Sequence, residues 1–361
     1  MLYKAIGLMS GSSLDGLDIA YVHLHETGGK WTFELIQADC YAYDAELANQ
    51  LRHATQLNAL NYQLLHTQYG HYIGQQVNQF IATHQLEHKV DIIASHGHTT
   101  FHIPAQKTTA QLGDGAAIAA TTALPVVSDL RAIDIALGGQ GAPIVPIGEK
   151  LLWGNYPLFL NLGGIANISY NTAQAYTAFD VCPANRVLNM LVKELQLEYD
   201  NEGAIARSGQ CNSDLLTQLN ELAYYQLAYP KSLSNDFGTD VVYPLVNDAA
   251  LSTADKLATV VEHIALQIKN SLQPIANNNS YELLVTGGGA HNHYLTERIQ
   301  QHLQPLHIKL VIPDAAIINY KEAIVMALIG VLRWREENNV LATVTGASRS
   351  SVNGALWMGQ S

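Results

Sequence analysis

Met9-Ser10-Gly11-Ser12-Ser13-Leu14-Asp15-Gly16-Leu17-Asp18 decides how the fold is read. Apolar runs flank it at residues 3–9 and 17–24. Two strand-forming runs around a Gly/Ser/Asp turn read as a β-hairpin. A turn of small residues lets backbone N–H groups and hydroxyls approach an anion. A carboxylate beside it can hold Mg²⁺, usually through water. The plain alternative is an ordinary hairpin turn. Neither the Walker A spacing nor G-x-G-x-x-G is present, so a P-loop NTPase and a dinucleotide enzyme are both disfavoured.

The pattern returns in the second half. Residues 158–162 read as a strand, Gly163-Gly164 as a turn and residues 165–170 as the returning strand. This internal echo predicts two related α/β halves. A third strand is expected at 31–38, with helices at 44–54 and 58–84, where apolar residues fall at helical spacing. A strand at 90–94 leads into Ser95-His96-Gly97-His98-Thr99, followed by a helix at 115–122 and a strand opening at 125–127. Residues 129–146 hold glycines and prolines without period, which predicts a binding or hinge loop. Further on, a strand at 175–179 ends at Asp180, and Pro183 suits the first turn of a helix over 183–197. Helices at 255–272, 293–303 and 320–337 alternate with strands at 281–286 and 306–312.

Composition narrows the function. At roughly 100–200 residues per domain, 361 residues predict two. We place them at 1–134, with 343–361 packing back on it, and at 135–342. Hydrophobic residues make up 48% and charged residues 14%, which excludes intrinsic disorder. With 31 acidic residues against 19 Lys and Arg, the net charge of −12 argues against nucleic acid as a partner. A phosphate site here must therefore use backbone N–H groups, a few placed cations or a metal. Cys40, Cys182 and Cys211 are scattered, without disulfide or metal spacing. The N-terminus lacks a signal-peptide pattern, and no run of about 18 apolar residues suggests a membrane span. The expected location is the cytoplasm.

Several residue groups could carry chemistry. Asn161-Leu162-Gly163-Gly164-Ile165-Ala166-Asn167 and Gly287-Gly288-Gly289 add two glycine turns. At Gly287–Gly289 the missing side chains allow a ring or phosphate to approach, with a helix N-terminus behind. Asp180, where a strand meets a helix, reads either as an N-cap or as a general base. Cys182 is a weak nucleophile candidate. His96, His98 and His102 could ligate a metal from one strand face, although hydrogen bonding fits them better. Asp129, Arg131 and Asp134 suit recognition of sugar hydroxyls or a carboxylate, or else form a local salt bridge. Glu322 is either a first-turn dipole partner or a site carboxylate.

Taken together, these motifs resemble the anhydro-N-acetylmuramic acid kinases. The resemblance rests on Met9–Asp18, Ser95–Thr99, the stretch from Asp129-Leu130-Arg131 to Gly138-Gly139-Gln140-Gly141-Ala142-Pro143, Asn161–Asn167, Phe179-Asp180 with Pro183-Ala184-Asn185, Thr286–Ala290, Lys321-Glu322-Ala323 and Thr345-Gly346-Ala347. It implies two ribonuclease-H-like α/β domains of the sugar kinase, heat-shock chaperone and actin ATPase superfamily, with an interdomain active-site cleft. It further implies that Gly11, Ser12, Ser13, Leu14, Asp15, Gly16, Leu17 and Asp18 bind the phosphates of ATP. Gly163, Gly164, Gly287, Gly288 and Gly289 would also meet the nucleotide. Asp15 and Asp18 would face Mg²⁺, Asp180 would be the catalytic base, and His96, Arg131 and Glu322 would contact the amino sugar. A homodimer is implied as well. Two positions depart from the family pattern: Val181-Cys182 stands where Thr-Gly is usual, and His98 stands where Gln is usual.

Overall fold

The structure is a computed structural model that describes residues 1–361 except 12–13, 172–175, 229–230, 235, 277–278 and 360–361. Ser12, Ser13 and the start of the strand expected at 175 therefore lie outside the described residues. In chain order the strands are β1 (Leu2–Ser10), β2 (Gly16–Thr27), β3 (Lys30–Ala42), β4 (Ile92–Ser95), β5 (His98–Ile103), β6 (Thr108–Leu112), β7 (Val126–Ser128), β8 (Leu158–Leu162), β9 (Ile165–Asn171), β10 (Tyr176–Pro183), β11 (Tyr281–Thr286), β12 (Ile308–Val311) and β13 (Ala355–Trp357).

Two compact units emerge, Met1–Gly154 with Tyr320–Ser361, and Asn155–Asn319. The first unit's sheet has the order β13-β7-β4-β1-β2-β3, and the second's has β10-β9-β8-β11-β12. In the first, β1, β2 and β3 are antiparallel neighbours, while β4 and β7 add in parallel. In the second, β8, β9 and β10 are antiparallel, while β11 and β12 add in parallel. The five-strand ribonuclease-H-like pattern thus occurs twice. The hairpins are the part of this duplication visible in the sequence; the pairing of the parallel strands is not, because helices separate them along the chain.

The units divide at Gly154/Asn155 and Asn319/Tyr320, so residues 135–154 and 320–342 belong with the first unit. The expected limits at 134/135 and 342/343 cut through its hydrogen bonds. Asp134 Oδ2 accepts from Gly141 N at 2.7 Å across the first limit, and Asn339 Oδ1 accepts from Asn353 N at 2.7 Å across the second. The stretch 129–146 is not all loop: it contains the helix Ala132–Ala136, and a second helix, Pro146–Leu152, starts at its end.

Helix Ala59–Thr83 starts where Asn58 Oδ1 accepts from Asn61 N at 2.9 Å. It buries Leu65, Tyr69, Ile73, Val77 and Phe80 along one stripe against the first core. Helix Ala315–Trp334 is long and apolar enough to cross a membrane by length and composition, but 67% of that window is buried inside protein. From Tyr320 onward it belongs to the first unit. A Cβ on Gly7 of β1 would lie 1.8 Å from Ala323 O, and one on Gly330 would lie 2.6 Å from Ala94 Cβ on β4. Lys321 Nζ donates to Glu149 Oε1 at 2.6 Å, with both side chains 6% exposed. The helix begins before residue 320 because Asp314 Oδ1 accepts from Ile317 N at 2.9 Å and sets the start there. Glu322 is consequently past the first turn, which removes its reading as a first-turn dipole partner.

β10 also runs on past Asp180, and the Pro183 helix start is not observed. The register slips between Asp180 and Cys182, leaving Val181 as the extra residue of a β-bulge. Pro183 then pairs with Ile165 at the end of an edge strand, where a missing N–H is tolerated. The helix runs over Asn185–Val192. Val181 and Cys182 are both 0% exposed, and burial raises the Cys182 thiol far above its usual range. That makes it inert at neutral pH.

Gly7→Ala should destabilise the chain by at least about 2 kcal/mol, because the new methyl meets backbone that cannot yield as a side chain could. Chemical denaturation checks this; an unchanged midpoint would mean that the helix is not held against β1 as described.

Candidate active site

Within each unit, most of the motifs expected to carry chemistry follow the carboxyl ends of strands. In the first unit, Gly11 follows the carboxyl end of β1 and Leu14 and Asp15 precede β2, His96 follows β4, and Asp129 and Arg131 follow β7. In the second, Gly163-Gly164 follows β8 and Gly287–Gly289 follows β11. Ligands of open α/β sheets bind at these carboxyl ends, where loops and unpaired backbone groups gather.

In the first unit, Leu14 has a φ of 62°, unusual for a branched residue, and Leu14 N donates to Gly11 O at 3.4 Å. Gly16 has a packing duty, since a Cβ there would lie 2.6 Å from Tyr41 O of β3. The Leu17 side chain belongs to the core at 1% exposure. Asp15 is exposed and Asp18 half-buried. Burial pushes the Asp18 carboxyl up to about 6, with Glu322 and Asp15 adding to the rise and a hydrogen bond from Cys40 opposing it. A line of hydroxyls runs from Ser10. Tyr43 OH donates to Ser10 Oγ at 2.8 Å and lies 2.6 Å from Tyr69 OH, while His98 Nδ1 is 3.5 Å from Ser10 Oγ.

His96 is 3% exposed and both of its nitrogens are engaged. Arg131 Nε donates to His96 Nε2 at 2.8 Å, so the ring proton sits on Nδ1 and is donated to Gly97 O at 2.8 Å. Burial, then the Arg131 charge, holds this histidine neutral, down to about 3. Arg131 Nη1 donates to Gly141 O. Arg131 therefore makes no local salt bridge with Asp129 or Asp134. His98 and His102 face different partners, Ser10 and Thr109, and Gly97 breaks the strand between His96 and His98. Among the described residues, no group of three His, Cys, Asp or Glu side chains could hold a metal. Glu322 is exposed to solvent yet crowded by protein; that crowding raises its carboxyl, while Arg131 and Lys321 pull it back down.

In the second unit, Gly163 O accepts from Asn185 N at 3.1 Å, and Gly164 O accepts from Ala184 N at 2.8 Å. The turn thereby caps the helix Asn185–Val192 with its carbonyls. Among the described residues, nothing accepts from the N–H of Gly163 or Gly164. Gly287, with φ +83°, needs its missing side chain for packing: a Cβ would lie 2.6 Å from Asn161 Oδ1. At Gly289 a Cβ would lie 2.7 Å from Leu162 Cβ, whereas Gly288 meets only Asn185 Nδ2 at 3.8 Å. Of the three glycines, Gly288 leaves the most room for a ligand.

Asp180 is half-buried and held from several directions. Its Oδ2 accepts from Leu233 N at 2.8 Å and from Ser232 Oγ at 3.2 Å. Its backbone N donates to Lys231 O at 2.9 Å, and its carbonyl accepts from Tyr224 OH at 2.8 Å. Its Oδ1 takes no hydrogen bond from the described residues. Burial raises the carboxyl, and the Leu233 and Ser232 donors lower it. The result is a carboxylate with one oxygen fixed and the other open. Ser232 and Leu233 carry no local signal, since they lie more than fifty residues from Asp180 in a stretch without period.

The model of the family "Anhydro-N-acetylmuramic acid kinase" matches residues 3–359. An anhydro-N-acetylmuramic acid kinase from Aliivibrio fischeri is 34% identical, covering 98% of this chain and 99% of its own. One from Microcystis aeruginosa is 33% identical with the same coverage. A third, from Bacillus cereus, is 31% identical over 97% of this chain and 98% of its own. A match over nearly every residue, with relatives of equal length, establishes that the chain belongs to the anhydro-N-acetylmuramic acid kinase family.

Proposed function

We propose that this chain is an ATP-dependent kinase that hydrolytically opens the 1,6-anhydro ring of anhydro-N-acetylmuramic acid and phosphorylates O6, in the recycling of cell-wall peptidoglycan. The observation that carries the reading is Asp180, with Oδ2 tied to Leu233 N and Ser232 Oγ and Oδ1 open. A carboxylate so oriented, with its basicity raised by burial, suits general-base work. In the proposed reaction Asp180 takes a proton from water as the water oxygen attacks the anomeric carbon. The bond from that carbon to O6 breaks, and O6 attacks the γ-phosphate of ATP. The products are N-acetylmuramic acid 6-phosphate and ADP.

Residues 11–18, Gly163, Gly164 and Gly287–Gly289 are assigned to the nucleotide, with Gly288 giving the closest approach. His96, Arg131 and Glu322 are assigned to the sugar. Arg131 is oriented by His96 and Gly141, and Glu322 supplies a solvent-reached acceptor for sugar hydroxyls. Mg²⁺ takes one or two carboxylates and fills its other positions with water and phosphate. Asp15 and Asp18 fit that need, and a cation would oppose the burial, and the smaller repulsion from Glu322 and Asp15, that lift the Asp18 carboxyl. When bound, Mg²⁺ would neutralise charge on the transferring phosphoryl group. The reading also takes the enzyme to be a cytoplasmic homodimer.

Anhydro-N-acetylmuramic acid should stimulate ADP release strongly over the sugar-free rate, with ordinary N-acetylmuramic acid and glucose as poorer stimulants; a coupled ADP assay checks this, and no stimulation removes the kinase reading. Asp180→Asn should cut turnover by about 10²–10⁴-fold while ADP affinity holds. Normal turnover in that variant would remove Asp180 from its role.

Ser232→Ala takes a donor from the charged form of Asp180, so the carboxyl should titrate higher. The acid limb of the kcat profile should move toward higher pH by about 0.5–1 unit, and Ser232→Thr should restore it. A profile that stays in place, or shifts downward, would show that this hydrogen bond does not tune the base.

A further inference from the structure

Arg186 is the second residue of the helix Asn185–Val192, beside the Gly163-Gly164 turn. Its backbone N donates to Gly164 O at 3.4 Å. Its side chain lies along the turn: Nε and Nη2 are 3.6 Å and 3.8 Å from where a Gly164 Cβ would sit. On the other side, its Cδ is 3.6 Å from the Cβ position of Gly238. Arg186 Nε is buried and has no hydrogen-bond partner. Among the described residues no carboxylate pairs with its guanidinium, although the chain carries 31 acidic residues and only 19 Lys and Arg.

A half-buried guanidinium without an anion is an unfavourable arrangement. Two other cations of this chain do have carboxylate partners. Arg298 is paired with Glu262, and Lys321 with Glu149. The glycines on either side keep space open around the Arg186 side chain. Next to it stand the N–H groups of Gly163 and Gly164, which also lack acceptors among the described residues. Planar guanidinium donors and neighbouring backbone N–H groups together suit a tetrahedral oxyanion.

We propose that Arg186 holds a phosphoryl oxyanion of the bound nucleotide at the Gly163-Gly164 turn. The proposal rests on the assignment of that turn to the nucleotide. It names the placed cation that an acidic protein needs for a polyphosphate. A carboxylate-bearing sugar offers a related oxyanion, but the free N–H groups of a glycine turn favour phosphate.

The test compares ADP and adenosine binding by calorimetry for the full-length wild type, Arg186→Met and Arg186→Lys. Arg186→Met should weaken ADP at least tenfold and leave adenosine unchanged. The Tm of the free protein should hold or rise, because an unsatisfied donor is gone, while the thermal shift on adding ADP shrinks. Arg186→Lys keeps the charge without the fork and should recover part of the affinity. Equal ADP binding by wild type and Arg186→Met would overturn the proposal alone. Parallel loss of adenosine and ADP would make Arg186 a structural residue and also overturn it. A rise confined to the KM of the anhydro sugar would assign the anion to the sugar instead. Should Arg186→Met fail to fold, Arg186→Lys decides: full ADP affinity there overturns the fork, and a loss of threefold or more supports it. A wild type that binds no ADP would overturn both the nucleotide assignment and this proposal.

Discussion

The contact between Gly7 and the backbone of Ala323 governs the first unit. With a Cβ position 1.8 Å from Ala323 O, β1 and the helix Ala315–Trp334 are closer than any side chain on Gly7 would permit. Close approach lets the helix lie along β1 and β4, with Gly330 against Ala94. Lys321 and Glu322 are neighbouring charged residues on this mostly apolar helix. Lys321 is buried and must be neutralised, which Glu149 does. Glu322, one residue on, points elsewhere and reaches solvent, within electrostatic range of Arg131 and Asp18. Backbone packing at one glycine therefore decides where a candidate substrate carboxylate stands.

Scarce cations shape the rest of the site. Arg131 spends its Nε on a neutral histidine and an Nη on a carbonyl, so it keeps its charge for something other than a carboxylate of the protein. Burial lowers it only to about 10, leaving it a cation at neutral pH. On the acidic side, Asp18 is lifted to about 6 by burial and by neighbouring carboxylates. Negative charge left uncompensated there is what a divalent cation would relieve. On the function proposed above, the low charge content fits a protein that would handle polyphosphate with glycine turns and a few placed charges.

Much of this was legible in the chain. The hairpin at residues 3–24 and its echo at 158–170 show because alternating apolar runs around small-residue turns are local signals. Asn58 and the stripe from Leu65 to Phe80 announce a helix for the same reason. Where long-range bonding overrode local pattern, the reading failed. The Val181 bulge carries β10 past Asp180, and no propensity encodes a bulge. Asp134 ties Gly141 to Thr345 across more than two hundred residues, which moved the limits of the units. The residues that hold Asp180, Ser232 and Leu233, come from an irregular stretch that carries no periodic signal. Individual motif residues were findable; which nitrogen meets which oxygen was not.

The central claim is that water, activated by Asp180, opens the sugar before O6 is phosphorylated. Single turnover in ¹⁸O-water, quenched before the anomeric hydroxyl exchanges with solvent, tests it most directly. The account predicts one ¹⁸O at the anomeric carbon of the phosphorylated product and none in its phosphate. Product that forms at the normal rate without anomeric label, or with the label in the phosphate, would contradict it.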